Sequence, residues 1–436
     1  MKIYIDTLGC AKNEYDSQML AASLVDRGCG ITYDPQDADI LIVNTCGFIE
    51  DAKKESIERI FELAAERGED KKLVVTGCLA ERYHEELSKE MPEVDIFFGV
   101  NDYDELPSVL LGDKAAARDM VGAATDDLRY RKRLFDEGAH FGYLKIAEGC
   151  NNNCSFCAIP LIRGPFRSKK KEDCIREAED MAAAGIKELI LIAQDTSQYG
   201  RDLYGKPVLH ELLRSLCRIE GIEWIRLMYV YDNGITDELI DVIAEEPKIC
   251  KYIDMPIQHI SDSVLHLMRR QSTGDSIKSV IRRLRERIPD VHIRTTLLVG
   301  FPGETEADMD LLMDFIDSCD IDRLGAFAFS EEEGTPSFTM SGKVDEDERE
   351  ARRSRVMEHQ LAVSERLNEK KIGRTYEVIV DEILEDGLFA GRTRYDAPEI
   401  DCAVTFSSAL PRKPGDIVNV VITDAFEYDL EGREVI

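Results

Sequence analysis

The N-terminal quarter of the chain alternates short apolar runs with longer segments of helical spacing, the pattern of an α/β unit. Lys2–Asp6 (KIYID) reads as a strand, and Asn13–Arg27 carries Met19, Leu20, Leu24 and Val25 at helical spacing. Asp39–Asn44 (DILIVN) is a β-branched run suited to a buried strand, followed by the charged helix Glu50–Arg67. Leu73–Thr76 is a third strand with a helix from about Glu81, and Asp95–Gly99 is expected to close the sheet.

Residues 112–140 lose this periodicity and are rich in charge, which separates two domains. A second α/β series then predicts strands at Tyr143–Ala147, Glu188–Ala193, Ile225–Tyr229, Tyr252–Met255, Ile293–Val299 and Leu324–Phe329. Helical stretches fall between them. Six β/α units in succession imply an all-parallel sheet, either open and doubly wound or curved into a partial TIM-like barrel. Residues 344–370 read as a polar helix acting as a rigid connector. The tail breaks into short strands with turn signals at Asp386-Gly387 and Pro414-Gly415, the pattern of a small β-barrel.

Composition narrows the class. The chain has 436 residues, with 55 Lys+Arg against 86 Asp+Glu and a formal net charge of -31. A hydrophobic content of 44% beside 32% charged residues describes a globular chain able to bury cores, not a disordered one. No apolar run approaches the ~20 residues a membrane span needs. MKIYIDTLGC lacks a basic region followed by an apolar one, so a cytoplasmic location is expected. The acidity disfavours passive binding to a phosphate backbone; it suits a basic protein partner, or serves solubility alone.

Twelve cysteines in such a chain read as metal or redox ligands before disulfides. Cys150, Cys154 and Cys157 form a C-x3-C-x2-C run just after a strand. Three thiolates on one loop can each hold one iron of a [4Fe–4S] cluster and leave the fourth iron open, whereas zinc would want a fourth protein ligand. Cys10, Cys46 and Cys78 are far apart in sequence, yet each directly follows a strand. In a parallel sheet, ligands gather beyond the carboxyl ends of strands, so these thiols would converge on one edge. Either they hold a second cluster or they are ordinary buried cysteines. Gly9 and Gly77, each preceding a cysteine, would let backbone approach a bulky group. Cys29, Cys174, Cys217, Cys250, Cys319 and Cys402 read as core or incidental residues.

The cluster loop, with Phe156 before its last cysteine, resembles that of the radical S-adenosylmethionine (SAM) enzymes. Together the two triads and the tail resemble the radical SAM methylthiotransferases, over essentially the full length. The resemblance implies a cluster domain at 1–112, a linker at 113–135, a radical SAM core with a partial (β/α)6 barrel at 136–367 and a TRAM β-barrel at 368–436. It implies that Cys10, Cys46 and Cys78 hold an auxiliary [4Fe–4S] cluster that handles sulfur. Cys150, Cys154 and Cys157 would hold the cluster that binds and cleaves SAM. Gln194, Asp195, Gly300 and Glu304 lie at strand C-termini in segments similar to those that contact SAM in radical SAM enzymes, and a plain turn and helix start is the other reading of them. His259 also falls on the working face, where packing is the simpler role. Arg163, Arg167 and Lys169–Lys171 form a basic patch, read as a solvated surface or as a partner for a carboxylate.

The family has a tRNA branch and a branch acting on ribosomal protein uS12. Residues 371–436 carry 7 Lys+Arg and 14 Asp+Glu, a balance that would repel a tRNA backbone and attract a basic ribosomal protein. Ala11-Lys12-Asn13, HFGYLKIAEGCNNNCSFCAIPLIRG and DRLGAFAFSEEEGTPS also resemble the ribosomal-protein branch. The expected activity is methylthiolation of an aspartate β-carbon in uS12, with an electron donor such as flavodoxin or ferredoxin and no membrane contact; tRNA is disfavoured as a partner. A tRNA adenosine methylthiotransferase is the second reading and a non-enzymatic iron–sulfur carrier the third.

Overall fold

The computed structural model describes every residue except 69, 102, 114–118, 123–127 and 436. Its first sheet is parallel throughout, ordered Gly30–Thr32, Lys2–Thr7, Ile40–Thr45, Lys72–Gly77, Ile96–Phe98 and Asp119–Met120. Ile40–Thr45 is buried along its whole length, as a β-branched strand covered on both faces must be. Its pleat sends Ile42 to one core with Leu20 and Leu24 of helix Ala11–Val25. Val43 goes to the other core, with Ile60 and Leu63 of helix Glu50–Glu66. Asp95–Gly99 does not close this sheet: Asp119–Met120 pairs outside it, and Gly30–Thr32 is added at the opposite edge. Both extra strands are two or three residues long and lack an apolar run, so their neighbours define them.

The second sheet pairs Phe141–Lys145, Glu188–Ile192, Trp224–Leu227, Ile249–Asp254, His292–Val299 and Arg323–Ala328 in simple chain order, all parallel. A doubly wound sheet reverses its strand order; this one does not, so the partial barrel is the architecture. Helix Glu346–Glu369 is more than a connector. Val356 and Val363 enter the barrel's own core, and Gln360 Nε2 donates to Ile321 O at 2.9 Å.

The C-terminal strands Thr375–Glu385, Leu388–Thr393, Val404–Ser407, Leu430–Glu434 and Ile417–Ala425 form a closed five-stranded barrel around Val380, Phe389, Phe406 and Val420. It docks where the core strands begin. Arg392 pairs with Glu188, Asp396 with Arg323 at 2.7 Å, and Tyr395 stacks on His292 at 4.1 Å. The opposite, C-terminal ends of the core strands are thereby left to the N-terminal domain and the cysteine loop. Of the expected linker 113–135, residues 114–118 and 123–127 lie outside the described residues. Arg133, at its far end, is buried, pairs with Glu177 at 2.9 Å and donates to Tyr143 O at 2.6 Å.

Candidate active site

Three adjacent parallel strands of the first sheet end at Cys10, Cys46 and Cys78. Cys10 is the N-cap of helix Ala11–Val25, and Cys78 opens helix Cys78–Glu90. Helix N-termini favour the thiolate over the thiol. Two close approaches bring the strand ends together. A Cβ on Gly9 would lie 2.7 Å from Cys46 Cβ, and one on Gly47 would lie 2.7 Å from Leu79 Cα and 3.0 Å from the carbonyl carbon of Cys78. Only glycine permits that packing. Asn13 ties the same ends, with Nδ2 donating to Leu8 O (2.8 Å) and Thr45 O (3.0 Å). Burial pushes the Cys46 thiol up to about 12, and Cys78 and Cys10 add to the rise as nearby anions. Burial also raises Cys78, opposed by the Arg163 guanidinium.

The second triad sits on a loop fixed at several points. Cys150 N donates to Gly164 O (3.1 Å), Asn152 Nδ2 to Asp195 (2.9 Å) and Ser155 N to Met268 O (3.0 Å). Burial pushes Cys150 up to about 11 and Cys157 up to about 12, with Cys154 contributing to both as a neighbouring anion. Buried thiols of this kind stay protonated until a metal displaces the protons. Among the described residues, no three His, Cys, Asp or Glu side chains converge as ligands of a single ion would. Each triad is a set of three soft thiol donors, the donor type that iron–sulfur clusters take.

Arg163 ties the segment after the cysteine loop to the strand-end triad. It follows the C-x3-C-x2-C loop, is 2% exposed, and donates to Cys78 Sγ (3.3 Å), Asn13 Oδ1 (2.8 Å) and Asp16 Oδ2 (2.7 Å) in the other domain. Lys145 completes the network with Asp16 and Glu148, both at 2.5 Å. Lys169 is buried against Tyr15 and Glu177. The basic patch divides: Arg163 and Lys169 are buried ion-pair partners inside the domain junction, whereas Lys170 is exposed and Arg167 and Lys171 are half-buried. A second tie lies at Glu332, which accepts from Lys53 (3.2 Å) and Arg82 (2.6 Å) of the N-terminal domain.

The remaining expected residues fall at strand C-termini with unequal freedom. Gln194 Nε2 donates to Glu148 (2.6 Å) while its Oε1 is buried and has no hydrogen-bond partner among the described residues. Asp195 is buried and anchors the cysteine loop through Asn152. Gly300 has φ +73°. Glu304 does not present a free carboxylate: it accepts from Gly300 N (2.9 Å) and Arg352 Nη1 (2.8 Å), closing its own turn. His259 is wholly buried and pushed down to about 4 by burial, so it is neutral, with Nδ1 accepting from Ser261 N at 2.9 Å. Tyr231 was not anticipated; its hydroxyl lies 3.0 Å from Cys154 Sγ, and Arg270 stacks over its ring at 4.0 Å. Its place just past a core strand was the available signal.

Comparison with known proteins agrees with this layout. Residues 2–99 match a family described only as uncharacterized protein family UPF0004, residues 144–316 the radical SAM superfamily and residues 372–435 the TRAM domain. A Clostridioides difficile (strain 630) protein named ribosomal protein uS12 methylthiotransferase RimO is 46% identical over 439 residues, covering 99% of this chain and 98% of the relative. The chain belongs to the uS12 methylthiotransferase family. A member of the same name from Acetivibrio thermocellus is also 46% identical, covering 100% of this chain and 98% of that one. Among solved structures, the radical SAM methyltransferase TsrM from Kitasatospora setae superposes with a TM-score of 0.60 at 15% identity, covering 77% of this chain and 76% of that one. The cobalamin-dependent radical enzyme OxsB gives 0.52 at 11%, covering 77% of this chain and 54% of that one. At such identities these two share the fold alone. Within the methylthiotransferase chain, among the described residues no helix is long and apolar enough to cross a membrane.

Proposed function

We propose that this chain methylthiolates the β-carbon of an aspartate in ribosomal protein uS12, giving 3-methylthioaspartate, by radical SAM chemistry with two [4Fe–4S] clusters. The observation that carries the reading is Arg163, which leaves the cysteine loop of one domain and donates to Cys78 Sγ of the other. That contact links the segment carrying one soft-donor set to the other set across a single junction, which supports a reaction needing both a radical source and a sulfur source.

In this reading Cys150, Cys154 and Cys157 hold the SAM-binding cluster and Cys10, Cys46 and Cys78 the auxiliary one. When bound, SAM would supply both the methyl group for sulfur and, with its cluster and an electron from the donor, the radical that activates the β C–H bond, while the auxiliary cluster would handle the sulfur. Gln194 Oε1 and the Gly300 turn line the SAM side, with Glu304 keeping that turn closed. Asp195 holds the loop through Asn152. Arg163 and Glu332 fix the distance between the two halves, because buried ion pairs resist sliding of one domain on the other. Residues 1–112, 136–367 and 368–436 are the three working units, with 113–135 joining the first two.

The acidic C-terminal barrel, with 7 Lys+Arg against 14 Asp+Glu in 371–436, favours a Lys/Arg-rich protein over a nucleic acid. The setting is the cytoplasm, where a flavodoxin or ferredoxin is a suitable electron donor. The test is anaerobic reconstitution with reductant, SAM and either uS12 or tRNA, followed by mass analysis. A methylthio gain on uS12 is expected. A gain on tRNA alone would replace the substrate, and 5′-deoxyadenosine formation without any transfer would leave only a radical SAM protein of another kind.

A further inference from the structure

Lys12 lies two residues beyond Cys10 and is 9% exposed. Four lysines are buried among the described residues, and the other three have polar partners: Lys145 with Asp16 and Glu148, Lys169 with Glu177, and Lys371 with Asn368. Lys12 has none. Among the described residues no carboxylate lies within 4.0 Å of its ammonium and no hydrogen bond satisfies it. Its one contact is the ring of Tyr229, with Nζ 3.3 Å from the centroid. A buried cation with only a π face is incompletely compensated; buried charges are normally paired.

Tyr229 is itself held in an unusual state. Its φ is +58°, a left-handed conformation that bulky residues rarely adopt. Three hydrogen bonds pin it there: its N–H donates to Asp254 Oδ2 (2.9 Å), and its carbonyl accepts from Thr196 N (3.0 Å) and Thr196 Oγ1 (3.1 Å). Strain maintained at this level clusters at functional positions. Thr196 directly follows Asp195, so the ring under Lys12 is fastened to the SAM side while Lys12 is carried by the helix that Cys10 caps. The ammonium therefore reaches from the helix that Cys10 caps to the end of a core strand, on the side where Asp195 anchors the cysteine loop.

We infer that Lys12 is the binding residue for the side-chain carboxylate of the substrate aspartate. This rests on the uS12 reading above. The carboxyl carbon is bonded directly to the β-carbon that loses hydrogen and gains sulfur, so gripping the carboxylate orients that C–H bond. A largely buried cation without an ion-pair partner also discriminates a carboxylate from the isosteric amide, because asparagine brings no charge to pair it. Tyr229 holds the ammonium in place until the carboxylate arrives.

The test uses the anaerobically reconstituted holoenzyme and two forms of uS12, one with the target aspartate and one with asparagine there. Binding of each is measured for the wild-type enzyme, Lys12→Met and Lys12→Arg, with iron and sulfide content confirming loaded protein. The wild type should prefer the aspartate form by about tenfold or more, a preference of about 1.4 kcal/mol. Lys12→Met should erase the preference by weakening the aspartate form alone, and Lys12→Arg should keep most of it. If Lys12→Met fails to load, Lys12→Gln is read in the same way. An undiminished preference in the neutral variant overturns the inference. So does an equal loss for both forms, or a loss of SAM affinity with the uS12 preference intact. If wild-type enzyme neither binds nor modifies either form of uS12, the substrate reading itself has failed, an outcome distinct from a preference that does not depend on Lys12.

Discussion

Cys150, Cys154 and Cys157 are neighbours on one loop, whereas Cys10, Cys46 and Cys78 come from three separate strand ends. The loop is shaped by hydrogen bonds to the barrel mouth, among them Asn152 to Asp195 and Ser155 to Met268 O. The strand-end triad depends instead on glycines that let parallel strands approach more closely than any side chain allows. The same class of donor set can thus be written into a short motif or into a fold. A motif tolerates change in its surroundings as long as the loop keeps its anchors. A fold-built site fails when the register or spacing of the strands is disturbed, even if every cysteine remains.

That contrast can be broken most severely at the loop. Cys154→Ala should take 5′-deoxyadenosine formation below detection while the strand-end triad still loads, so iron per chain falls by about half; product chromatography and iron analysis read both. Arg163→Met attacks the junction instead. It leaves Asp16 and Glu148 with Lys145 as their one shared cation, and breaking a buried pair of this kind costs about 3–5 kcal/mol. Chemical denaturation of the metal-free chain should report that loss, and a change under ~1 kcal/mol would mean that the network does not hold the halves together.

Gly77→Ala sharpens the claim about the fold-built site. Gly77 has φ +98°, and a Cβ there would lie 2.4 Å from Thr45 O, which is backbone and cannot swing away. The expected cost is about 1–3 kcal/mol, with auxiliary-cluster iron lost and SAM cleavage kept. Gly205→Ala is the control: φ +75° but nothing within 4 Å, so only the backbone penalty applies. Equal effects of the two on iron content would refute the close-approach argument. The smallest effect belongs to Asn152→Ala, which removes one hydrogen bond to Asp195 and should cost about 1 kcal/mol. It should appear as faster iron loss from the loop triad alone.

Much of this was legible in the chain because its signals are local or periodic. All six core strands were recognisable from apolar runs, and their C-termini lead to the cysteine loop, Asp195 and the Gly300 turn. The strand-end triad was readable only through the parallel arrangement of Lys2–Thr7, Ile40–Thr45 and Lys72–Gly77. What escaped depends on partners remote in sequence. Arg163 and Lys169 look like a surface patch until Asp16 and Glu177 are brought to them. Glu304 looks available until Arg352, on a helix that reads as a connector, claims it. Lys12 carries no signal beyond its place in a short motif, since its meaning lies in the partner it lacks.

The central claim is that the two triads divide the labour, one generating the radical and the other handling sulfur. Cys46→Ala tests it most directly, with 5′-deoxyadenosine and methylthiolated uS12 quantified in the same reaction. Deoxyadenosine formation that continues while uS12 gains no methylthio group is the predicted result. Methylthiolation at the wild-type rate in that variant would contradict it.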